Sequence, residues 1–141
     1  MARRTIVIIE DDEDVAQLVA FLLARDGFAS TIVADGRAAE ELIATREPPA
    51  AVVLDIMLPY RDGFEVAASI RADARWKDVP ILALTARTLP ADLDRARALG
   101  IGEYVAKPFH PRALTGRIRA LLGTPPPHVR GTPSRDGGPA G

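Results

Sequence analysis

Ala51-Val52-Val53-Leu54-Asp55-Ile56-Met57-Leu58-Pro59 is the stretch on which the reading of the chain turns. Four apolar residues, two of them β-branched, run into a single carboxylate, and a proline closes the segment. A short apolar run bounded by a turn signal reads as a strand buried on both faces, the kind found in parallel sheets. Asp55 then stands at the strand's carboxyl end, the edge of an open α/β sheet where ligands bind.

On either side of this stretch the same pattern recurs. Thr5-Ile6-Val7-Ile8-Ile9 is a second central-strand candidate, and it runs into five consecutive acids, Glu10-Asp11-Asp12-Glu13-Asp14. The last three suit a helix N-terminus, where carboxylates cap the first turn and favour the helix dipole. Glu10 and Asp11 precede that helix. Two adjacent carboxylates at a sheet edge repel each other unless a cation lies between them, so a metal site competes here with a solvated cap.

Val15, Leu18, Val19, Leu22 and Leu23 have helical spacing up to Gly27, and Phe28 to Ala34 holds another strand. Asp35-Gly36 is a turn before a helix carrying Ala38, Ala39, Leu42 and Ile43, stopped by Pro48-Pro49. Beyond the central strand, residues 60–63 form a loop. Next comes a third helix with a small apolar face, on Phe64, Ala67, Ala68 and Ile70 or Arg71. Pro80 to Leu84 is a fourth strand ending at Thr85-Ala86. Pro90 opens a helix with Leu93, Ala96, Arg97 and Leu99, and Gly102 to Ala106 is a fifth strand ending at Lys107-Pro108. Pro111 opens a last helix with Leu114, Ile118, Leu121 and Leu122 inward.

Strand and helix thus alternate five times, which predicts an α/β protein with a parallel sheet covered on both faces. Glu10 and Asp11, Asp55, Thr85 and Lys107 all stand at strand ends, so parallel strands carry them to one edge. Carboxylates there are hard oxygen ligands suited to Mg²⁺. Asp55 is either a ligand or a nucleophile, Lys107 offers a positive charge to a phosphoryl group, and Thr85 offers a hydroxyl donor. Each residue taken singly also has a plainer reading as a cap, a turn residue or, for Tyr104, core filling.

Composition narrows the classes. The 141 residues are 48% apolar with net charge −1, enough for one domain and its core and without a bulk pull toward nucleic acid or membrane. The absence of cysteine excludes thiolate chemistry and disulfides, and with only His110 and His128 a soft-ligand metal site is excluded too. No membrane-length apolar run and no signal-peptide pattern is present, so a soluble cytoplasmic protein is expected. Residues 1–123 are expected to form the folded domain, and 124–141, rich in proline and glycine, a disordered tail or linker stub.

At these residues the chain resembles a two-component response-regulator receiver domain (CheY-like), over roughly Arg4 to Leu122. Glu10-Asp11, Asp55, Thr85-Ala86 and Lys107-Pro108-Phe109 carry the resemblance, and 44, 30 and 22 residues separate Asp11, Asp55, Thr85 and Lys107 in turn. The details are most similar to receivers of the winged-helix output class. The resemblance implies a flavodoxin-like (βα)₅ fold with strand order 2-1-3-4-5. It implies that Asp55 accepts a phosphoryl group from a sensor histidine kinase or phosphotransfer protein. Mg²⁺, with Mn²⁺ able to substitute, would be held by Asp11 directly, Glu10 partly through water, an Asp55 oxygen and the Met57 backbone carbonyl.

Lys107 would pair with the phosphoryl group, Thr85 would swing inward to bond it, and Tyr104 would move into the vacated space. Ala86 is small enough to leave the group accessible, and Met57 and Arg87 occupy the positions that tune phosphoryl lifetime. The Lys107–Pro108 peptide is expected to be cis. The readout face would be the fourth helix, fifth strand and fifth helix, with a homodimer there through pairs such as Glu103 with Arg117. Ala113 and Leu93 depart from the charges expected on that face.

The chain is thus expected to be a phosphorylation-dependent switch rather than a turnover enzyme, with its output partner open and no direct nucleic-acid binding of its own. The alternatives are a receiver fragment of a larger DNA-binding transcriptional regulator and a phosphorylation-independent pseudo-receiver. A phosphatase with an aspartyl nucleophile is disfavoured, because Met57 stands where its general acid would be.

Overall fold

The computed structural model describes residues 4–86 and 88–123. The expectations for Arg87 and for the 124–141 tail lie outside the described residues. The elements are β1 (Thr5–Ile9), α1 (Glu13–Arg25), β2 (Ala29–Val33), α2 (Gly36–Thr45), β3 (Ala51–Asp55), α3 (Gly63–Ala72), β4 (Ile81–Thr85), α4 (Pro90–Ala98), β5 (Glu103–Ala106) and α5 (Pro111–Leu122). All five strands are parallel, in the order β2-β1-β3-β4-β5. No helix among the described residues is long and apolar enough to cross a membrane.

The three central strands read as apolar runs because helices cover both their faces. Alternation along each strand divides the core in two. Val7, Ile9, Val52, Leu54, Ile81 and Ala83 pack with Phe64, Ile70 and Trp76 beneath α2, α3 and α4. Ile6, Ile8, Val53, Leu82 and Leu84 pack with Val19, Leu23, Leu114 and Ile118 of α1 and α5. Each such buried aliphatic side chain contributes about 1.5–3 kcal/mol of transfer free energy.

The helix faces differ from the periodic reading at several positions. In α1 Leu18 is exposed and Ala16 buried in its place, with Phe21 on the outer surface too. In α3 the apolar face is large: Gly63, Phe64, Val66, Ala67 and Ile70 are buried, whereas Ala68 is exposed. In α4 Asp92 and Ala96 turn inward, while Leu93 and Arg97 are exposed. Apolar residues on more than one side of a helix leave its rotation undetermined until the neighbouring elements are placed.

Two residues after α3 fasten it to its neighbours. Trp76 is fully buried and donates its indole N–H to the Arg46 carbonyl at 3.0 Å, while the Arg75 guanidinium reaches the carbonyls of Ile43 and Arg46. These bonds satisfy carbonyls left open at the end of α2. Arg71 donates to the carbonyls of Lys77, Val79, Leu99 and Gly100, tying α3 to the end of α4.

Candidate functional site

Strand register decides which side chains meet. Ile9 pairs with Leu54 and Asp55 pairs with Leu84, so Glu10 comes level with Asp55 at the carboxyl edge. Thr85, paired with Ala106, lies one residue further along, and the Lys107 N–H donates to the Thr85 carbonyl at 2.9 Å.

Lys107 Nζ lies 3.0 Å from Asp55 Oδ2 and 2.7 Å from Glu10 Oε1, bridging two side chains from different strands. The remaining oxygens are held by backbone: Asp55 Oδ1 accepts the Met57 N–H at 2.9 Å, and Glu10 Oε2 accepts the Asp12 N–H at 3.0 Å. Glu10 and Asp55 are buried and Asp11 is exposed. Burial pushes the Glu10 carboxyl up to about 7, aided by the neighbouring Asp55 and opposed by Lys107 and the Asp12 N–H. For Lys107 burial acts downward, but the bonds and charges of Glu10 and Asp55 outweigh it and raise the ammonium's pKa.

Oxygens of Glu10, Asp11 and Asp55 lie within 4.8 Å of one another. One ion with bonds of about 2.1 Å spans roughly 4.2 Å across, so the three fit a single small hard cation, directly or through one water. The donors are all oxygens, which suit a hard cation such as Mg²⁺ better than a softer metal.

Thr85 is fully buried at the end of β4 and Ala86, next to it, is exposed. Tyr104 is half-buried and packs against the α3–α4 side of the core, the side that Ala83 and, by alternation, Thr85 face. Met57 is 53% exposed beside Asp55. The Lys107–Pro108 peptide is cis, as the resemblance implies. Glu103 and Arg117 pair with each other within the chain, Oε1 to the guanidinium at 2.9 Å.

Gly63 also shapes the site. A Cβ there would stand 2.5 Å from the Asp55 carbonyl oxygen and 2.6 Å from Ile56 Cα. Only glycine lets α3 start this close to the strand end, where the Gly63 N–H donates to the Ile56 carbonyl at 2.7 Å. The Asp62-Gly63 pair signals a turn in sequence, but the close packing becomes visible only in three dimensions.

Known proteins share this fold. Residues 6–119 match the response regulator receiver domain family. The DNA-binding response regulator MtrA of Mycolicibacterium smegmatis is 39% identical over 121 residues, 85% of this chain and 51% of that protein. The sensory transduction protein RegX3 of Mycobacterium bovis is 40% identical over 120 residues, 84% of this chain and 50% of that protein. The chain therefore spans about half the length of these curated relatives. Among solved structures, the receiver domain of sensor histidine kinase PA1611 from Pseudomonas aeruginosa superposes with TM-score 0.77 at 31% identity, over 87% of this chain and 100% of that one. That crystal structure has a magnesium ion coordinated in its active-site cleft. Chemotaxis response regulator CheY4 of Vibrio cholerae gives TM-score 0.79 at 26% identity, over 86% and 100% of the two chains.

This chain belongs to the response-regulator receiver family, the receiving modules of two-component signalling.

Proposed function

We propose that Asp55 is the phosphoryl acceptor of a signalling switch, supplied by a phosphohistidine on a sensor kinase or phosphotransfer protein. The observation that carries the reading is the Lys107 ammonium bridging Asp55 and Glu10 beside Asp11. An Asp55 carboxylate oxygen attacks phosphorus, a P–O bond forms and the P–N bond breaks. The ring nitrogen keeps that electron pair: with a proton on the other nitrogen the imidazole leaves neutral, and without one the imidazolate takes a proton from water. Lys107, already 3.0 Å from Asp55, stays to pair with the charge that accumulates on the phosphoryl oxygens.

Glu10, Asp11, Asp55 and the Met57 carbonyl would hold Mg²⁺, with Mn²⁺ an acceptable replacement. When bound, the ion supplies charge neutralisation for the transferring group. Ala86 leaves the acyl phosphate open, and Met57 at the rim tunes how fast water reaches it. Thr85 donates its hydroxyl to the phosphoryl group and Tyr104 takes up the space behind it. Moving such an equilibrium from about 1:99 to 99:1 requires roughly 5.5 kcal/mol of preference for one state. Two to four bonds to a dianion, at about 1.5–3 kcal/mol each, supply that.

The output surface on this reading is α4, β5 and α5. Because Glu103 and Arg117 are paired within the chain, a homodimer through that face must exchange this pair or rely on Leu89 and Leu93, both exposed. Residues 1–123 act as the receiver and 124–141 as a tail or linker, in the cytoplasm, assisting their own phosphorylation without turnover of other substrates. A second reading is favoured by the half-length match to relatives named as DNA-binding regulators: the receiver part of a transcriptional regulator whose DNA-binding half lies elsewhere.

Intact-mass measurement with acetyl phosphate and Mg²⁺ tests the proposal. One added phosphoryl group is expected, absent in Asp55→Asn and absent with a chelator. An unmodified native chain, or equal modification of Asp55→Asn, would refute it and favour a phosphorylation-independent module.

A further inference from the structure

The rim of the site has a feature that phosphoryl acceptance leaves unused. Tyr60 has φ +71°, the only non-glycine with positive φ among the described residues. The Arg61 N–H donates across it to the Pro59 carbonyl at 2.8 Å, so residues 59–61 form a three-residue turn of the positive-φ kind, which is rare and strained. Glycine adopts that backbone freely and tyrosine does not. Folding recovers little from the side chain, which is 69% exposed.

The turn is fixed on both sides. The Gly36 N–H donates to the Pro59 carbonyl at 3.2 Å, and a Cβ at Gly36 would overlap the Arg61 backbone. The segment leaves β3 at Ile56 and returns at Gly63 against the Asp55 carbonyl, so its apex is held at the site's edge. Over the Tyr60 ring lies the Arg37 guanidinium, 4.1 Å from the ring centroid. Arg37 is exposed and forms no ion pair among the described residues.

We propose that Tyr60 and Arg37 are a recognition contact for a protein phosphoryl donor, which packs an apolar side chain on the ring and sets a carboxylate against Arg37. The inference rests on the phosphoryl-acceptor reading. A donor histidine reaches Asp55 with its protein around it, and that protein covers the rim. A small donor reaches Asp55 without touching it. The partner thus explains an aromatic ring that the fold holds outward at a strained position. The transfer chemistry is unchanged: a P–N bond is exchanged for the P–O bond at Asp55.

The test compares two donors on the full chain: acetyl phosphate, and an autophosphorylated sensor histidine kinase chosen because it phosphorylates the native chain. Tyr60→Gly is expected to slow kinase transfer about tenfold and Arg37→Glu by a similar factor, with acetyl phosphate within about twofold for both. Tyr60→Phe should transfer like the native chain, and Tyr60→Gly should melt no lower than it, since strain is relieved. Kinase transfer to Tyr60→Gly within about twofold of native, or equal slowing with both donors, overturns the recognition contact. Failure of acetyl phosphate to modify the native chain would instead overturn the acceptor reading beneath it.

Discussion

Helices α3 and α4 are neighbours of similar length, ten and nine residues, yet they are held in opposite ways. α3 opens with a complete capping box, Asp62 and Glu65 each bonding the other's backbone N–H at 2.9–3.0 Å, and buries Phe64, Val66, Ala67 and Ile70. α4 opens at Leu89 with no side-chain cap, and its only buried residues are Asp92 and Ala96. Its far end is secured from α3, where Arg71 holds the Leu99 and Gly100 carbonyls. Stability is therefore distributed unevenly around Asp55. The helix that begins just past Thr85 is lightly held at that end and tethered at the other, and local opening concentrates where buried contacts are few. That asymmetry supports α4 as the mobile part of the proposed output face.

Substitutions put this contrast at risk. Phe64→Ala should cost about 3–5 kcal/mol in urea denaturation, against less than about 1 kcal/mol for Leu93→Ala. Equal losses would remove the distinction. Arg71→Met should cost about 2–3 kcal/mol, since four carbonyls lose a charged donor, and amide exchange at the end of α4 should accelerate more than in the first turn of α3.

A pH effect should separate the site from both helices. Glu10's carboxyl is raised from 4.5 to about 7, so between those values the folded state binds more protons than the unfolded one. Glu10's contribution is then fully present below about pH 4.5 and is lost as pH rises through about 7. Melting temperature in chelator should show this fall. Mg²⁺ should reduce it at the upper end, because the ion favours the ionised carboxylate. A fall unchanged in Glu10→Gln would show that another group is responsible.

The smallest effects concern the caps. Asp62→Ala should destabilise by about 1 kcal/mol, whereas Leu89→Ser, which supplies the cap α4 lacks, should stabilise by a few tenths to about 1 kcal/mol. Thermal denaturation of the pair checks both signs.

What is legible in the chain alone divides along the same line. The strands and their polar ends are legible because a parallel sheet turns each apolar run with a polar residue after it into a position on one edge. The Asp11, Asp55 and Lys107 side chains accordingly gather without any local sequence signal linking them. Helix orientation is not legible. Leu18 and Phe21 face solvent and Asp92 faces inward, because helical spacing alone permits several rotations and the neighbours select one. The fastenings at Arg71, Arg75 and Trp76 are also hidden, since their partners lie mostly some thirty residues away and leave no periodic trace. The strain at Tyr60 is a property of backbone angles, and an ordinary loop residue announces none of it.

Hydrogen exchange on α3 and α4, with and without beryllofluoride and Mg²⁺, asks whether charge chemistry at Asp55 is read out through the lightly held helix. Exchange in α4 should change by about tenfold or more while α3 stays within about twofold, and Asp55→Asn should abolish the response. Equal responses in the two helices, or an α4 response that survives in Asp55→Asn, would contradict it.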